Sequence, residues 1–201
     1  MLRSIVTAAL AALTLAGCGS EMINTPEASL PAVSADEQQI RDLVHTQTRA
    51  FTEGNWPVLA DLTCAQFRDK AGDPASYLVP PMTAFGTREQ MASLTIAQVS
   101  EGLTRQFGTG APRDTLDRVS QALVAYDEPA YEAGMLDLIR QSATLTVDKV
   151  ENITVTGDTA TADVTTTRRL GQAAPDTRTD TTPFVREDGR WLDCTDLSGA
   201  S

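Results

Sequence analysis

Few of the residues that carry common chemistry occur in this 201-residue chain. It has one histidine, His45, three cysteines and only two lysines, Lys70 and Lys149. One histidine and widely separated cysteines lack the ligand spacing of a zinc site, so we expect neither a metal nor a cofactor. The chain also contains no G-x-S-x-G nucleophile elbow and no glycine-rich phosphate loop, which excludes the hydrolase and nucleotide-binding classes built on those motifs.

Positive charge is scarce as well. Lysine and arginine total 16 against 27 aspartate and glutamate residues, which gives a net charge of −11 at pH 7. Binding to nucleic acid relies on basic side chains that displace counterions from phosphates, so we predict no nucleic-acid partner. Electrostatic adsorption to anionic lipid headgroups is disfavoured for the same reason.

The N-terminal segment contains an apolar run that is too short to cross a membrane. Arg3 precedes this run, which covers residues 5–16, whereas a spanning helix needs roughly 20 residues. This order is typical of a secretory signal peptide. The sequence LAGC at 15–18 matches a bacterial lipobox, in which the cysteine, here Cys18, is lipid-modified and the chain is cut just before it. The alternative is an ordinary signal peptide followed by a chance cysteine.

The resemblance to bacterial lipoproteins implies a division of the chain into three parts. Residues 1–17 are the signal peptide, 18–33 form a flexible tether, and 34–201 form a single folded domain. Cys18 carries a diacylglyceryl group of the palmitate type, and two or more acyl chains anchor a protein stably where one does not. We therefore expect a lipid-anchored protein on the extracytoplasmic face of the cell membrane.

The two remaining cysteines, Cys64 and Cys194, predict a disulfide. They form an even pair in an oxidising compartment. We expect Cys64 on the second helix and Cys194 in the final strand, both facing one layer, with Cα atoms within about 7 Å. The alternative is two free, buried thiols.

Hydrophobic periodicity predicts helices in the first part of the domain. A capping box at 34–37 begins a helix in which Ile40, Val44, Gln47 and Phe51 share one side. Residues 71–81 contain three prolines and predict a loop. The first predicted helix is 34–54, and the second starts at Asn55 and contains Cys64. The third and fourth are 87–108 and 116–126, and a short fifth helix starts at Asp127.

After Ser142 the period changes to two, which predicts strands. Leu145, Val147 and Lys149 alternate with polar residues in the first of these. Further strands follow at 160–166, 177–186 and 191–194, separated by polar turns, and this pattern favours an antiparallel meander. The predicted fold class is α+β, with the N-terminal helices packed on a bent C-terminal antiparallel sheet.

Two stretches carry a family resemblance. The first stretch contains AF at 50–51, in the first predicted helix, and GNW at 54–56. The second is EDGRWLDC at 187–194, in the last predicted turn and strand. Together they resemble the nuclear transport factor two-like (ketosteroid isomerase-like) superfamily of small α+β cones. The resemblance covers 34–69 and 143–197, and it implies that the segment at about 82–141 is a helical insertion.

These features predict a non-catalytic binding or accessory module for a small apolar ligand or an envelope protein. Enzymes of the superfamily, isomerases and cyclases, suggest an alternative in which His45 or Asp61 acts with a tyrosine, for which the candidates are Tyr77, Tyr126 and Tyr131. That alternative requires His45 and an acid to line one cavity. A third hypothesis is a structural lipoprotein whose helical segment 87–141 contacts a larger assembly.

Overall fold

The computed structural model describes residues 34–108 and 110–197. In this part of the chain every helix precedes every strand, so the predicted α+β class is confirmed. The helices are α1 Ala35–Glu53, α2 Trp56–Asp61, α3 Arg68–Gly72, α4 Ala75–Leu78, a 3₁₀ turn Met82–Ala84, α5 Arg88–Ala92, α6 Ile96–Phe107, α7 Arg113–Ala125 and α8 Glu128–Ser142. The strands are β1 Ala143–Thr156, β2 Thr159–Leu170, β3 Asp176–Glu187 and β4 Arg190–Asp193. The predicted signal peptide and tether, 1–17 and 18–33, lie outside the described residues.

The four strands form one curled antiparallel sheet in the order β1-β2-β3-β4, which is the predicted meander. The β3–β4 hairpin closes through Asp188 and Gly189, both at positive φ, 49° and 77°. This is the backbone that a two-residue hairpin needs and that Asp-Gly adopts readily.

The predicted alternation of Leu145, Val147 and Lys149 stops at Val147, because β1 contains a bulge. The register with β2 shifts between Val147 and Lys149, so Lys149 is exposed and Val150 is buried in its place. Arg41 on α1 donates a hydrogen bond to the carbonyl of Val150. An extra residue of this kind bends a strand, and here it helps the sheet curl around α1.

The first hydrophobic cluster, called the sheet core here, lies between α1 and the inner face of the sheet. It contains fully or nearly fully buried side chains from α1 and all four strands, among them Ile40, Val44, Val150, Val164, Phe184 and Trp191. Its apolar side chains come from both ends of the domain, so the sheet core forms only when the first helix meets the last strands.

The start of α1 is held to the sheet by polar contacts as well. Arg186 pairs with Asp36 at 2.7 Å, and the indole nitrogen of Trp191 donates to the same carboxylate at 3.1 Å. The Arg186 guanidinium also lies 4.5 Å from the Trp191 ring centroid. The hydrogen bond from Trp191, and then that from Arg186, lower the pKa of Asp36 below its usual value.

The second cluster, called the helical core here, is built from the 3₁₀ turn and helices α5–α8. Its buried members include Met91, Leu103, Leu116, Leu123, Met135 and Leu138. Gly134 on α8 lets the two longest helices of this group approach closely, since a Cβ there would lie 2.9 Å from Cγ2 of Val119 on α7. The segment predicted as a helical insertion thus has a hydrophobic core of its own.

Three helix predictions need correction. Residues 87–108 form two helices, because a second capping box starts α6: the hydroxyl of Thr95 accepts from the amide of Gln98, and the Gln98 side chain accepts from the amide of Thr95. The predicted loop 71–81 contains the single turn α4 and the end of α3. The fifth helix is not short: α8 has 15 residues.

Candidate functional site

A cavity of about 270 Å³ lies between α1 and the inner face of the sheet, and it is partly open to solvent. This volume is near the lower end of the roughly 300–1,000 Å³ typical of small-molecule sites. Most of its apolar wall comes from α1, α2, β1 and β2 and includes Val44, Phe51, Leu59, Leu145, Val147 and Val164; Ala71 on α3 and Leu197 add to it. The cavity is therefore a small, mainly apolar space beside the sheet core.

Asp193, at the end of β4, is the carboxylic acid among the described residues that line this cavity. The backbone fixes its position: its amide donates to the Leu62 carbonyl at 3.0 Å, and its carbonyl accepts from the Cys64 amide at 2.8 Å. The side chain accepts a hydrogen bond from the backbone amide of Thr195 at 2.7 Å and another from the Gln47 side chain. The carboxyl is thus rigidly placed and largely buried.

Burial raises the pKa of Asp193 above its usual value, and the hydrogen bonds from Thr195 and Gln47 oppose this shift only in part. No lysine, arginine or histidine is among the described cavity-lining residues. The carboxyl therefore has neutral hydrogen-bond donors, from Thr195 and Gln47, but no positively charged partner in the described cavity wall.

Tyr77, on α4, contributes a second polar group to the wall. Its hydroxyl is buried and makes no hydrogen bond to any described residue. Burial, assisted by the charge of Asp73, raises the pKa of Tyr77 to about 12. The phenol is therefore neutral at physiological pH, and its hydrogen-bonding capacity is unused within the described chain.

The structure places Cys64 and Cys194 at disulfide distance, with Cα atoms 5.1 Å apart, as predicted. The prediction that Cys64 lies on a helix is wrong. The chain leaves α2 at Asp61, and Thr63 forms a parallel bridge with Asp193, so the segment after the helix pairs with β4. Cys194 lies one residue past β4. The disulfide thus adjoins Thr63 and Asp193, which both line the cavity.

The candidate acid–base residues are not brought together. His45 and Asp61 are both exposed, and neither lines the cavity. Tyr126 and Tyr131 belong to the helical core, where Tyr131 donates to the Pro80 carbonyl at 2.7 Å. Of the predicted candidates only Tyr77 reaches the cavity, so His45 and Asp61 do not form the acid–base arrangement that the enzyme hypothesis requires.

Sequence analysis did not single out Gln47 or Asp193 as site residues, although each carries a signal. Gln47 is a polar residue on the inward side of an otherwise apolar helix repeat. Asp193 is an acid between Leu192 and a disulfide cysteine at the end of the last strand. Gln47 lies in a position that the helix repeat assigns to the interior, and there it meets Asp193.

Within the described ranges there is no group of three or more histidine, cysteine, aspartate or glutamate side chains that could hold a metal ion. In the same ranges no helix has the length and apolar character needed to cross a membrane. Cys18, the predicted lipidation site, lies outside them. No protein-family model, curated protein sequence or solved structure matches the chain.

Proposed function

We propose that this chain is a lipid-anchored envelope protein whose folded domain binds a small, mainly apolar ligand. The observation that carries the binding function is the cavity of about 270 Å³ between α1 and the sheet. Its wall combines mainly apolar surface with polar groups that include Gln47, Tyr77 and Asp193. This combination is typical of sites that hold a small molecule in one orientation.

Two buried polar groups, Asp193 and Tyr77, favour a ligand site over an ordinary gap in packing. Gaps in protein interiors are few and rarely larger than a water molecule, because dense packing stabilises the fold. A buried carboxyl without a positively charged partner and a buried phenol without a hydrogen bond each cost stability. A ligand that buries the apolar wall and bonds to these groups would offset both costs.

The lipid anchor in this proposal is supported by the sequence: LAGC at 15–18 follows an apolar run preceded by Arg3. Cys18→Ala should abolish labelling by a fatty-acid analogue in cells and release the protein from the membrane fraction or leave an unprocessed precursor. Labelling of the variant as strong as that of the wild type would contradict the anchor and leave the cavity proposal untouched.

The family resemblance is part of the proposal as well. A curled sheet around a first helix is the architecture that membership of the nuclear transport factor two-like superfamily implies, and a cavity between helix and sheet fits that architecture. The second candidate is an envelope protein docked on segment 87–141, where the large apolar side chains of Leu94 and Ile96 are exposed.

The cavity is tested by a matched pair of substitutions on β2. Thr166 lines the cavity, whereas its neighbour Thr165 lies on the outer face, where its hydroxyl bonds to that of Thr179 at 2.8 Å. Thr166→Phe should fill the cavity and abolish binding of a neutral probe, 4-phenylbutanol, measured by calorimetry on the full chain. Thr165→Phe should bind the probe like the wild type. Equal binding by both variants would contradict the proposed site.

A further inference from the structure

We propose that the natural occupant of this cavity is a small apolar amine, held in its protonated form by an ion pair with Asp193. This inference rests on the proposed binding function and names the chemical class of the ligand. Its starting point is the asymmetry of charge in the cavity wall, which contains an acid and no base among the described residues.

The carboxyl of Asp193 has room for a further donor. An ionised carboxylate offers about four lone-pair sites, and the structure assigns donors from Thr195 and Gln47. These donors are the amide and the hydroxyl of Thr195 and the Gln47 side chain, and all of them are neutral. An ammonium group would supply the opposite charge that buried carboxylates usually require, and it would do so inside a low-dielectric space where the attraction is strong.

The remaining wall suits the rest of such a ligand. Phe51 and Tyr77 present aromatic rings to the cavity, and a ring face attracts a nearby cation. The aliphatic side chains of Val44, Val147 and Val164 offer apolar surface for a hydrocarbon body. The net charge of −11 also raises the local concentration of cations over that of anions around the protein.

The same geometry disfavours an anionic amphiphile such as a fatty acid. Its carboxylate would meet Asp193 without any lysine, arginine or histidine among the described wall residues to separate the two negative charges. A neutral alcohol of the same shape would keep the apolar contacts and one hydrogen bond but lose the charge attraction. The expected order of affinity is therefore amine, then alcohol, then carboxylate.

Titration of Asp193 should control the preference. Tyr77, with a pKa of about 12, is the other titratable group described in the wall and stays neutral throughout the working range. Six charged or titratable residues are directly adjacent in sequence to lining residues, and none of them lines the cavity: His45, Arg49, Lys70, Asp148, Asp163 and Asp196. Lowering the pH until Asp193 is protonated should therefore weaken binding of the amine while leaving that of the alcohol unchanged.

The test compares 4-phenylbutylamine, 4-phenylbutanol and 4-phenylbutanoate by calorimetry on the full chain at neutral pH. We expect the amine to bind at least about tenfold more tightly than the alcohol, as a charge-assisted hydrogen bond allows, and the carboxylate to bind most weakly. Asp193→Asn should reduce the amine's advantage over the alcohol to less than about threefold. Asp188→Asn, in the exposed β3–β4 turn, removes the same charge away from the cavity and should not change this advantage.

The outcomes separate this inference from the function on which it rests. Alcohol binding that Thr166→Phe abolishes, with no preference for the amine, would overturn the inference and keep the cavity as the site. Binding of none of the three probes would overturn both. If Asp193→Asn does not fold, the wild-type affinity ratio and its loss at acid pH decide, because a ratio that is independent of pH contradicts a role for Asp193.

Discussion

The sheet core and the helical core differ in the sequence separation of the contacts that hold them together. Around the sheet core, Asp36 bonds to Trp191 across 155 residues and Cys64 lies beside Cys194 across 130. In the helical core the side chains that link α7 and α8 are close in sequence: Arg118 pairs with Asp137 across 19 residues. Contacts between distant segments carry a larger loop-closure cost, so the sheet region depends more on strong links between its ends.

The candidate site belongs to the region with the long-range links. The cavity lies between the first helix and the sheet. Asp193 lies at the end of β4, where its backbone pairs with that of Thr63, next to the disulfide. The helical core supplies buried apolar surface at a distance from this wall. We therefore expect substitutions in the two cores to have similar effects on stability and different effects on ligand binding.

The largest expected effect comes from removing a side chain at the centre of each core. Phe184 is 1 % exposed in the sheet core. Phe184→Ala should lower the unfolding free energy by about 3–5 kcal/mol, because a large cavity remains. Leu123, fully buried in the helical core, should cost about 2–5 kcal/mol as Leu123→Ala. Urea unfolding measures both values.

Ligand binding then distinguishes the two variants. At temperatures where both are folded, Leu123→Ala should keep the wild-type affinity for 4-phenylbutanol, while Phe184→Ala should bind it more weakly because the inner sheet face loses support. Equal loss of affinity in both variants would mean that the two cores are not separable in function.

Loss of the disulfide ranks next. Cys64→Ser and Cys194→Ser should each lower the unfolding free energy by about 2–5 kcal/mol, since a cross-link over 130 residues restricts most of the unfolded domain. The double variant should be little worse than either single one, because one substitution already breaks the bond. An unreduced proteolytic digest should contain the two cysteine peptides joined; separate peptides would contradict the link.

A substitution at the α7–α8 contact tests the helical core alone. Gly134→Ala would place a Cβ 2.9 Å from Val119, so it should destabilise the protein by about 1–3 kcal/mol. Gly102→Ala on α6 is the matched control: its nearest neighbour would be the flexible end of Arg105 at 3.9 Å. It should instead stabilise the helix by about 0.5–1 kcal/mol. Thermal unfolding of the two variants should therefore shift in opposite directions.

The smallest effect concerns pH and the charge on Asp193. Burial raises the pKa of this carboxyl, so the folded protein binds its proton more tightly than the unfolded chain, and the group's contribution to stability falls as pH rises between the two pKa values. Asparagine does not titrate. The unfolding free energy of Asp193→Asn minus that of the wild type should therefore be larger at neutral pH than below about pH 4, the ordinary range of aspartate titration.

In this comparison of variant and wild type, the pH-dependent stability contributions of the other carboxyls with altered pKa cancel. Hydrogen bonds lower the pKa values of Asp36, Glu89 and Asp163. Each of these carboxyls stabilises the folded state at neutral pH and loses that contribution as pH falls, equally in both proteins. A stability difference between variant and wild type that stays constant with pH would contradict the burial of Asp193.

Local patterns in the sequence predicted the order of elements well. The N-cap at Ser34, the glycine after α1 and the Asp-Gly turn act on the backbone within a few residues, so they can be predicted without tertiary information. The break at Thr95 was readable in the same way, through Gln98 three residues later. Periodicity alone predicts one helix here, because the apolar residues on the two sides of the break stay in phase.

Features decided by tertiary contacts were not predictable in this way. Cys64 leaves the helix because its backbone pairs with β4, 130 residues away, and Lys149 faces outward because of a bulge in the register with β2. Asp193 becomes a site residue only when α1 brings Gln47 against the last strand. The cysteine pair was predictable because its argument needs only compartment and count.

The most direct test of the account is a map of where a probe binds. We predict that adding 4-phenylbutylamine to the full chain shifts the NMR methyl signals of cavity residues, led by Val44, Val147 and Val164, and the amide signal of Asp193. The methyl signals of Leu123 and Met135 in the helical core should stay unchanged. Shifts centred on the helical core, with the cavity signals unmoved, would contradict the assignment of the site.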